Sequence, residues 1–393
     1  MDKNCTWEYH WKTSGSWQGK LRDIPAKLMA AFLLAGCGYQ QYMEVLHCLD
    51  IDVSSHTSFQ NILHKLNSIT SKMVQNKLEN QKDQLLGVEL IISVDAGWSK
   101  RGWSANECCI SVFDAQTCNL LDMEIVLRKL NDKDTLSIFE GASSQMEAYG
   151  TDIIFRRMYD DGLIVAAIVH DGDAQILAIA RKYWPNCIEY ADPGHTSKNF
   201  KKNIIKLRKN YPALKNLGES VLRAFRWCLK MCEGDKNEFI RLLWNQYNHF
   251  CNISHKECTH DSNYKPKSWK WIEDHSNRQQ LKHEFQIIEK KAVQLVMNFN
   301  SNLNESFNNC RTKFTDKRKN QRISFQFGCN LTALNHITRS DPSFIWKKEI
   351  LELAGFQLTD NVISNFEKED NKEMVDVNRY FFFNHGSEIL FFF

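Results

Sequence analysis

Two apolar stretches of the sequence each lead into an acidic residue. Residues 90–98 are rich in β-branched side chains and carry Asp95, and residues 163–169 run into the sequence His-Asp-Gly-Asp, which begins with His170 and contains Asp171. Both stretches are typical of buried strands. A buried carboxylate must be paired, hydrogen-bonded or bound to a metal, because burying it alone is costly. Two such acids brought together could hold the divalent ions of a phosphoryl-transfer site.

A third acid for such a site is expected on a helix near the strand ends. Residues 299–308 are rich in asparagine and serine, and Glu305 lies where a first helical turn is predicted. Glu305 is therefore either a solvated first-turn glutamate or a third metal ligand. Carboxylates suit Mg²⁺ better than cysteine or histidine does.

The elements around these acids follow an order that is typical of one fold. Strands are predicted over residues 90–98, 108–113, 119–127, 163–169 and 187–190, and helices over residues 146–159, 174–184 and 197–210, with a turn at 192–195. This order predicts an α/β protein with a ribonuclease H-like mixed sheet flanked by helices. In that layout the first and fourth strands are neighbours, which would bring Asp95 and Asp171 close together.

Helical patterns predict the remaining organisation of the chain. Residues 1–85 are predicted to form a helical region, either a helix-turn-helix-like DNA-binding unit or a packing unit only, in which residues 75–84 are a helical extension or a linker. Residues 86–210 form the first part of the core, 211–298 an all-helical insertion, 299–340 the last core helix with Glu305, and 341–393 a C-terminal tail.

Several motifs resemble those of Mutator-like (MULE-type) DDE transposases. Residues 93–102, 143–147, 170–173 and 302–308 resemble catalytic stretches of that family, and residues 192–195 (Asp-Pro-Gly-His) resemble its acid, two residues, histidine signature. The resemblance extends from about residue 30 to 340. One departure is that residues 129–139 contain no cysteine, whereas relatives often carry a cysteine-rich stretch there.

The resemblance implies a DDE triad of Asp95, Asp171 and Glu305 that binds two Mg²⁺ or Mn²⁺ ions. Asp173 remains an alternative to Asp171, or a supporting residue or helix cap. Asp192 could cap a helix, and His195 could orient a carboxylate or a substrate phosphate.

Basic residues that flank the predicted site could neutralise a DNA backbone, although charge runs are usually solvated surfaces. These residues are Lys100, Arg101, Lys198, Lys201, Lys202, Arg311, Lys313, Lys317 and Arg318. The expected partner is double-stranded DNA, as transposon ends and target. The resemblance implies that the protein acts as a homodimer. The basic run at residues 317–319 is a weak nuclear-import signal.

The predicted insertion contains a short run of histidine and cysteine. His249, Cys251, His255, Cys258 and His260 lie within twelve residues. Zn²⁺ takes such ligands, and the alternative is a histidine-rich surface loop.

Composition excludes several classes of protein. The thirteen cysteines have no framework spacing and the first residues no signal-peptide core, which predicts an intracellular protein with reduced thiols. No apolar run reaches the length of a membrane span. A net charge of +3 is too small to indicate DNA binding by itself.

The predicted function is that of a DNA transposase, which cleaves and joins strands by two-metal-ion chemistry. The first alternative is a domesticated, non-catalytic DNA-binding protein on the same scaffold. The second is a metallophosphatase, which is disfavoured because no histidine stands two residues after Asp95.

Overall fold

The structure is a computed structural model. It describes residues 16–17, 21–100, 105–129, 139–172, 174–207, 209–211, 214, 216–258, 265–266, 269–314, 322–338, 345–360 and 364.

A five-stranded mixed sheet lies at the centre of the described chain. Its strands are β3 (Glu89–Trp98), β4 (Glu107–Asp114), β5 (Leu120–Leu127), β6 (Ile164–His170) and β7 (Ile188–Ala191), in the order β5-β4-β3-β6-β7. Strands β3, β4 and β5 form an antiparallel meander, and β6 and β7 run parallel to β3. A separate two-stranded ribbon joins β1 (Ser16–Trp17) to β2 (Leu21–Arg22). The predicted mixed sheet is confirmed, with β3 at its middle.

Helices precede, interrupt and follow the sheet. Before it come α1 (Asp23–Leu34), α2 (Tyr39–Cys48) and α3 (His56–Lys82), and within it α4 (Met146–Asp160) and α5 (Ala174–Tyr183). After it come α6 (Pro193–Leu207), α7 (Gly218–Met231), α8 (Lys236–Phe250), α9 (His275–Lys290), α10 (Ala292–Leu295), α11 (Asn302–Phe314), α12 (Arg322–Ile337) and α13 (Ile345–Leu353). Single 3₁₀ turns occupy Asp83–Leu85 and Ser143–Gln145. No helix in the described part of the chain is both long and apolar enough to cross a bilayer.

The two faces of the sheet carry different helices because side chains alternate along each strand. On one face, Ile92, Val94 and Ile110 pack with α4 and α5. On the other face, Phe113 packs against Phe307 of α11, and both belong to a buried cluster that includes residues of α1–α3, α12 and α13. The odd-numbered residues of β3 from 93 to 97 therefore face α11.

A second core belongs to the helices after the sheet. Apolar residues of α6–α10, among them Phe200, Phe239 and Phe285, form a separate buried cluster. It includes Trp269 and Ile272 from the segment between α8 and α9. The predicted helical character of residues 211–298 agrees with this cluster.

Two predicted boundaries differ from the structure, and the helical extension, one of the two alternatives for residues 75–84, is confirmed. Helix α6 begins at Pro193, so residues 192–195 start a helix and do not form a separate turn. Residues 75–82 continue α3, which Ser55 caps by accepting a hydrogen bond from the Ser58 N–H (3.2 Å). Part of the predicted tail forms α13, whose Trp346 is buried.

Candidate active site

Asp95, in β3, and Asp171, just after the neighbouring parallel strand β6, lie at equivalent positions in the strand register. Ser93 of β3 is paired with Val169 of β6, so each acid lies two residues beyond this pair. Asp171 follows β6 in a turn that depends on Gly172, whose φ of +99° is unfavourable for other residues. The strand register therefore brings the two acids to the same edge of the sheet.

The Asp95 carboxyl is largely buried and next to a second acid. Burial, with a smaller effect of the negative charge of Asp171, raises the pKa of Asp95 to about 6. The Ala96 N–H, the charge of His195 and a hydrogen bond from Asn308 oppose this rise. Asn308 Nδ2 donates to Asp95 Oδ2 at 3.0 Å. Asp171 and His195 are thus both close enough to Asp95 to affect its ionisation.

Helix α11 is fixed to β3 by residues on one of its faces. Asn304, Asn308 and Arg311 are spaced by four and three residues, which places them along one side of a helix. Asn304 is fully buried; its Oδ1 accepts from Ser93 Oγ (2.6 Å), and its Nδ2 donates to the Ser111 carbonyl (2.8 Å). This amide bridges β3 and β4 and sets the height of α11 above the sheet.

Gly97 permits the close approach of α11 to β3. A Cβ atom at this position would overlap the Asn308 amide, 2.7 Å from its Cγ, and would lie 3.2 Å from Nη2 of Arg311. A side chain here would force the Asn308 amide, which donates a hydrogen bond to Asp95, out of its position.

Asp192 joins β7, α6 and the start of α11. Its Oδ1 accepts from the N–H groups of Gly194 (2.5 Å) and His195 (3.2 Å), and its Oδ2 accepts from the Ser301 N–H (3.0 Å) and the Ser301 hydroxyl. Burial by itself raises the pKa of Asp192, but the hydrogen bonds from Ser301 and His195 outweigh it and lower the pKa. Asp192 is therefore an ionised, buried cap that connects two helices beside Asp95.

The ring of His195 is held over the same cap. His195 Nδ1 lies 3.4 Å from Asp192 Oδ2, and the side chain is about one-third exposed. Asp192 accepts hydrogen bonds from the first N–H groups of α6, which starts at Pro193, four residues before the predicted start at residue 197. The orienting role of His195 stays a prediction.

His170 holds the turn that carries Asp171. Its Nδ1 accepts from the Gly172 N–H (3.1 Å), so the ring proton lies on Nε2, which faces Glu189 Oε1 at 3.0 Å. Gln294 Nε2 donates to the other oxygen of Glu189 (2.9 Å). His170 is buried, and we assign it a positioning role that the sequence alone did not indicate.

Glu305 lies in the first turn of α11, as predicted, and contacts the basic helix α6. Lys198 Nζ lies 3.3 Å from Glu305 Oε1, and both side chains are substantially exposed. Within the described residues, Asp95, Asp171 and Glu305 do not form a group whose oxygens all lie within 4.8 Å of one another. The three acids therefore do not converge on a single point.

The other predicted DNA-contacting residues have different environments. Lys202 and Lys313 are exposed, Lys100 is half-buried, and Lys201 forms an ion pair with Glu219. Arg101, Lys317 and Arg318 lie outside the described residues, as do Asp173 and the carboxyl-terminal apolar residues 389–393.

Arg311 is a correction to the sequence-based assignment. Its side chain is only 1% exposed, donates from Nη2 to the Trp98 carbonyl (3.1 Å), and lies 4.7 Å above the Phe325 ring. Arg311 therefore fastens α11 to the end of β3, and in this structure it cannot contact a DNA phosphate.

Of the predicted zinc ligands, the structure brings three together. His249, His255 and Cys258 form one group of potential ligand atoms. Cys251 is fully buried in the core of the helices after the sheet and is not part of this group, and His260 lies outside the described residues.

Sequence reasoning missed the supporting roles of Ser301, Asn304, Asn308 and His170. The asparagine and serine residues were interpreted as helix-capping residues. The four- and three-residue spacing of Asn304, Asn308 and Arg311 was the available signal, since it predicts a polar helix face that needs buried partners.

A comparison with known protein families finds a match. A family model described as Mutator-like transposase matches residues 3–264. No curated protein matches the chain. The matched segment includes Asp95, Asp171 and residues 192–195 but ends before α11, so the match does not cover Glu305.

Proposed function

Because this chain belongs to the Mutator-like transposase family, we propose that it cleaves and joins DNA strands by phosphoryl transfer, with Asp95, Asp171 and Glu305 as its catalytic residues. The observation that carries this proposal is the environment of Asp95. This carboxyl is buried beside a second acid, its pKa is raised to about 6, and it is hydrogen-bonded to the helix that supplies the third acid.

The strand order supports a ribonuclease H-like core in this protein. An antiparallel meander followed by two parallel strands, with β3 in the middle, places the acids of β3 and of the β6 turn side by side. In this proposal residues 86–210 and 299–340 form the core, and residues 211–298 form the insertion. Helices α2 and α3, joined by residues 49–55, are the candidate helix-turn-helix for DNA.

The donor set of the site suits hard divalent ions. Above pH 6 Asp95 is ionised although it is largely buried and next to Asp171, and a bound cation would offset both unfavourable effects. Carboxylate oxygens are the ligands that Mg²⁺ and Mn²⁺ prefer. Since the three acids do not converge on one point, the proposal assigns them to two ions. When bound, these ions would activate the attacking water or 3′-hydroxyl and stabilise the leaving oxygen.

The protein groups around the acids have separate tasks in this proposal. Asn308 fixes the orientation of the Asp95 carboxylate, and Asp192 holds His195 beside it. Lys198 neutralises Glu305 before ions and DNA bind, and it is then free to contact a phosphate of the substrate. Lys202, one turn further along α6, extends the same basic surface.

A cleavage assay tests this proposal. The wild type and the variants Asp95→Asn, Asp171→Asn and Glu305→Gln are incubated with supercoiled plasmid and with a labelled duplex, in Mg²⁺, Mn²⁺ or EDTA. We expect ion-dependent nicking by the wild type and, for each variant, only the product level seen with EDTA. Asp83→Asn and Glu352→Gln, which alter exposed acids outside the site, are the matched controls.

Two outcomes would contradict the proposal. Cleavage by Asp95→Asn at the wild-type rate would remove the central residue of the assignment. If the wild type binds duplex DNA but cuts with neither ion, the chain is a non-catalytic DNA-binding protein on the same scaffold.

A further inference from the structure

We propose that His249, His255 and Cys258 form a zinc-binding site at the carboxyl end of α8, separate from the acidic site on the sheet. The proposal depends on the geometry of three side chains and on the tautomer of one of them. It does not depend on the proposed DNA chemistry.

The three potential ligand atoms are separated as zinc ligands are. His249 Nδ1 lies 3.3 Å from His255 Nδ1, and Cys258 Sγ lies 3.3 Å and 3.6 Å from these two nitrogens. Tetrahedral Zn²⁺, with bonds of about 2.0–2.1 Å to nitrogen and about 2.3 Å to sulfur, separates its ligands by about 3.3 Å (N to N) and about 3.6 Å (N to S). A zinc ion therefore fits between the three atoms with little movement.

The tautomer of His255 is fixed by its neighbours. Asn252 Nδ2 donates to Glu273 Oε1 (3.2 Å), which orients the amide so that its Oδ1 faces His255 Nε2 at 2.9 Å. Because that oxygen only accepts hydrogen bonds, Nε2 carries the ring proton and Nδ1 presents a lone pair to the group. Histidine ligands of zinc are commonly oriented in this way, with the second ring N–H donated to an oxygen.

Hydrogen bonds alone account for the cluster less well than a cation does. His255 Nδ1 has no proton, so only the Cys258 thiol and His249 Nδ1 can supply protons to three short separations. A metal ion bound by two imidazole nitrogens and a thiolate satisfies all three contacts at once.

The surroundings of the group also favour a cation. His249 lies in the last turn of α8, a fifteen-residue helix whose carboxyl end carries partial negative charge. The rings of Trp269 and Trp271 lie 5.8 Å and 5.1 Å from the His249 ring, and Trp271 also lies 5.0 Å from His255. These indoles shield one side of the group from water.

Zinc at this position would tie the segment after α8 back onto that helix. Glu257, next to Cys258, already contacts Arg241 and Asn245 of α8. The ion would link Cys258 to His249, because both would bind it. Asn252, which contacts His255, also donates a hydrogen bond to Glu273, just before α9. We therefore assign it a structural role in the helical insertion, since three protein ligands from one short segment fix its path.

Metal analysis of the full chain tests the proposal directly. After saturation with Zn²⁺ and removal of loosely bound metal, we expect about one ion per chain to be retained. Cys258→Ser and His249→Ala should each weaken zinc binding by about tenfold or more. Cys48→Ser and His283→Ala are matched controls at exposed positions and should retain wild-type zinc.

Cobalt and alkylation provide tests that do not depend on how well the variants fold. Co²⁺ in the wild type should show a thiolate-to-cobalt charge-transfer band and the intense visible bands of tetrahedral coordination. Zinc should slow the alkylation of Cys258 by iodoacetamide about tenfold or more but leave that of Cys48 unchanged, as mass spectrometry would show. The proposal is wrong if zinc retention is the same in all variants, if Co²⁺ gives no thiolate band, or if zinc does not protect Cys258.

Discussion

Replacing Asp95 with asparagine should stabilise the folded protein at neutral pH while it removes the proposed activity. Burial, with a smaller effect of the Asp171 charge, raises the pKa of Asp95 from 3.8 to about 6. Between these two values the folded protein binds more protons than the unfolded chain does, so its stability falls as the pH rises. Above pH 6 the loss is complete, because Asp95 is then ionised in both states.

The size of the effect follows from the pKa difference. A rise of about two units corresponds to about 3 kcal/mol between the two protonation states, which is an upper bound because the carboxyl keeps some contact with solvent. Asparagine has nearly the same shape and no charge, and its carbonyl can still accept the hydrogen bond from Asn308. We therefore expect Asp95→Asn to raise the free energy of unfolding by about 1–3 kcal/mol at a pH of about 7.5.

Urea unfolding in metal-free buffer at two pH values measures this gain. At a pH of about 4.5 the wild-type Asp95 is mostly protonated in the folded state, so the gain should shrink to about one-third of its value at a pH of about 7.5. Added Mg²⁺ should stabilise the wild type and have less effect on the variant. Asp83→Asn, at an exposed position, serves as the control and should show neither change.

A destabilised Asp95→Asn variant at neutral pH, or a gain in stability that is equal at both pH values, would refute this reasoning.

A double-mutant cycle tests whether the Asp171 charge contributes to this gain. Because the Asp171 charge contributes to the raised pKa, the gain from Asp95→Asn should be smaller when Asp171→Asn is already present. Strict additivity would show that the two carboxyls do not interact.

Two further predictions concern the close contact at Gly97 and the buried ion pairs of Asp122. Gly97→Ala should destabilise the protein by about 1–3 kcal/mol and abolish cleavage, because the new Cβ overlaps the Asn308 side chain and displaces the amide that is hydrogen-bonded to Asp95. Thermal unfolding and the nicking assay measure the two effects, and wild-type values for both would contradict the prediction. Asp122→Asn should lower the free energy of unfolding by about 3–5 kcal/mol. The Asp122 carboxylate pairs with Lys82 (2.6 Å) and Arg157 (2.6 Å), and its loss leaves the buried Lys82 ammonium with fewer partners. Urea unfolding measures the change, and a loss below about 1 kcal/mol would show that the network contributes little.

The strands and their order could be predicted from the sequence. The first strand was expected over residues 90–98 and is found at Glu89–Trp98, and the others agree to within about two residues at each end. Apolar, β-branched runs bounded by polar turns are local signals, so they predict strands independently of how distant parts of the chain pack. The positions of Asp95 in the first of these strands and of Asp171 just after the fourth were predicted in the same way.

The start of α6 was predicted less well because its signal has two meanings. Aspartate, proline and glycine are typical of turns, yet aspartate followed by proline is also a good helix start. Asp192 is a buried cap because Ser301, 109 residues later in the chain, donates two hydrogen bonds to it. No local pattern around Asp192 contains that partner.

The sequence by itself determined which residues carry charge, which segments form strands and helices, and which acids lie in or just after the central strands. Tertiary structure alone decided that Arg311 is buried against Trp98 and that Asn308 contacts Asp95. It also decided that His255 and Cys258, but not Cys251, meet His249. The reason is physical: periodicity and turn chemistry act between near neighbours in the chain, whereas burial and pairing depend on which distant segments pack together.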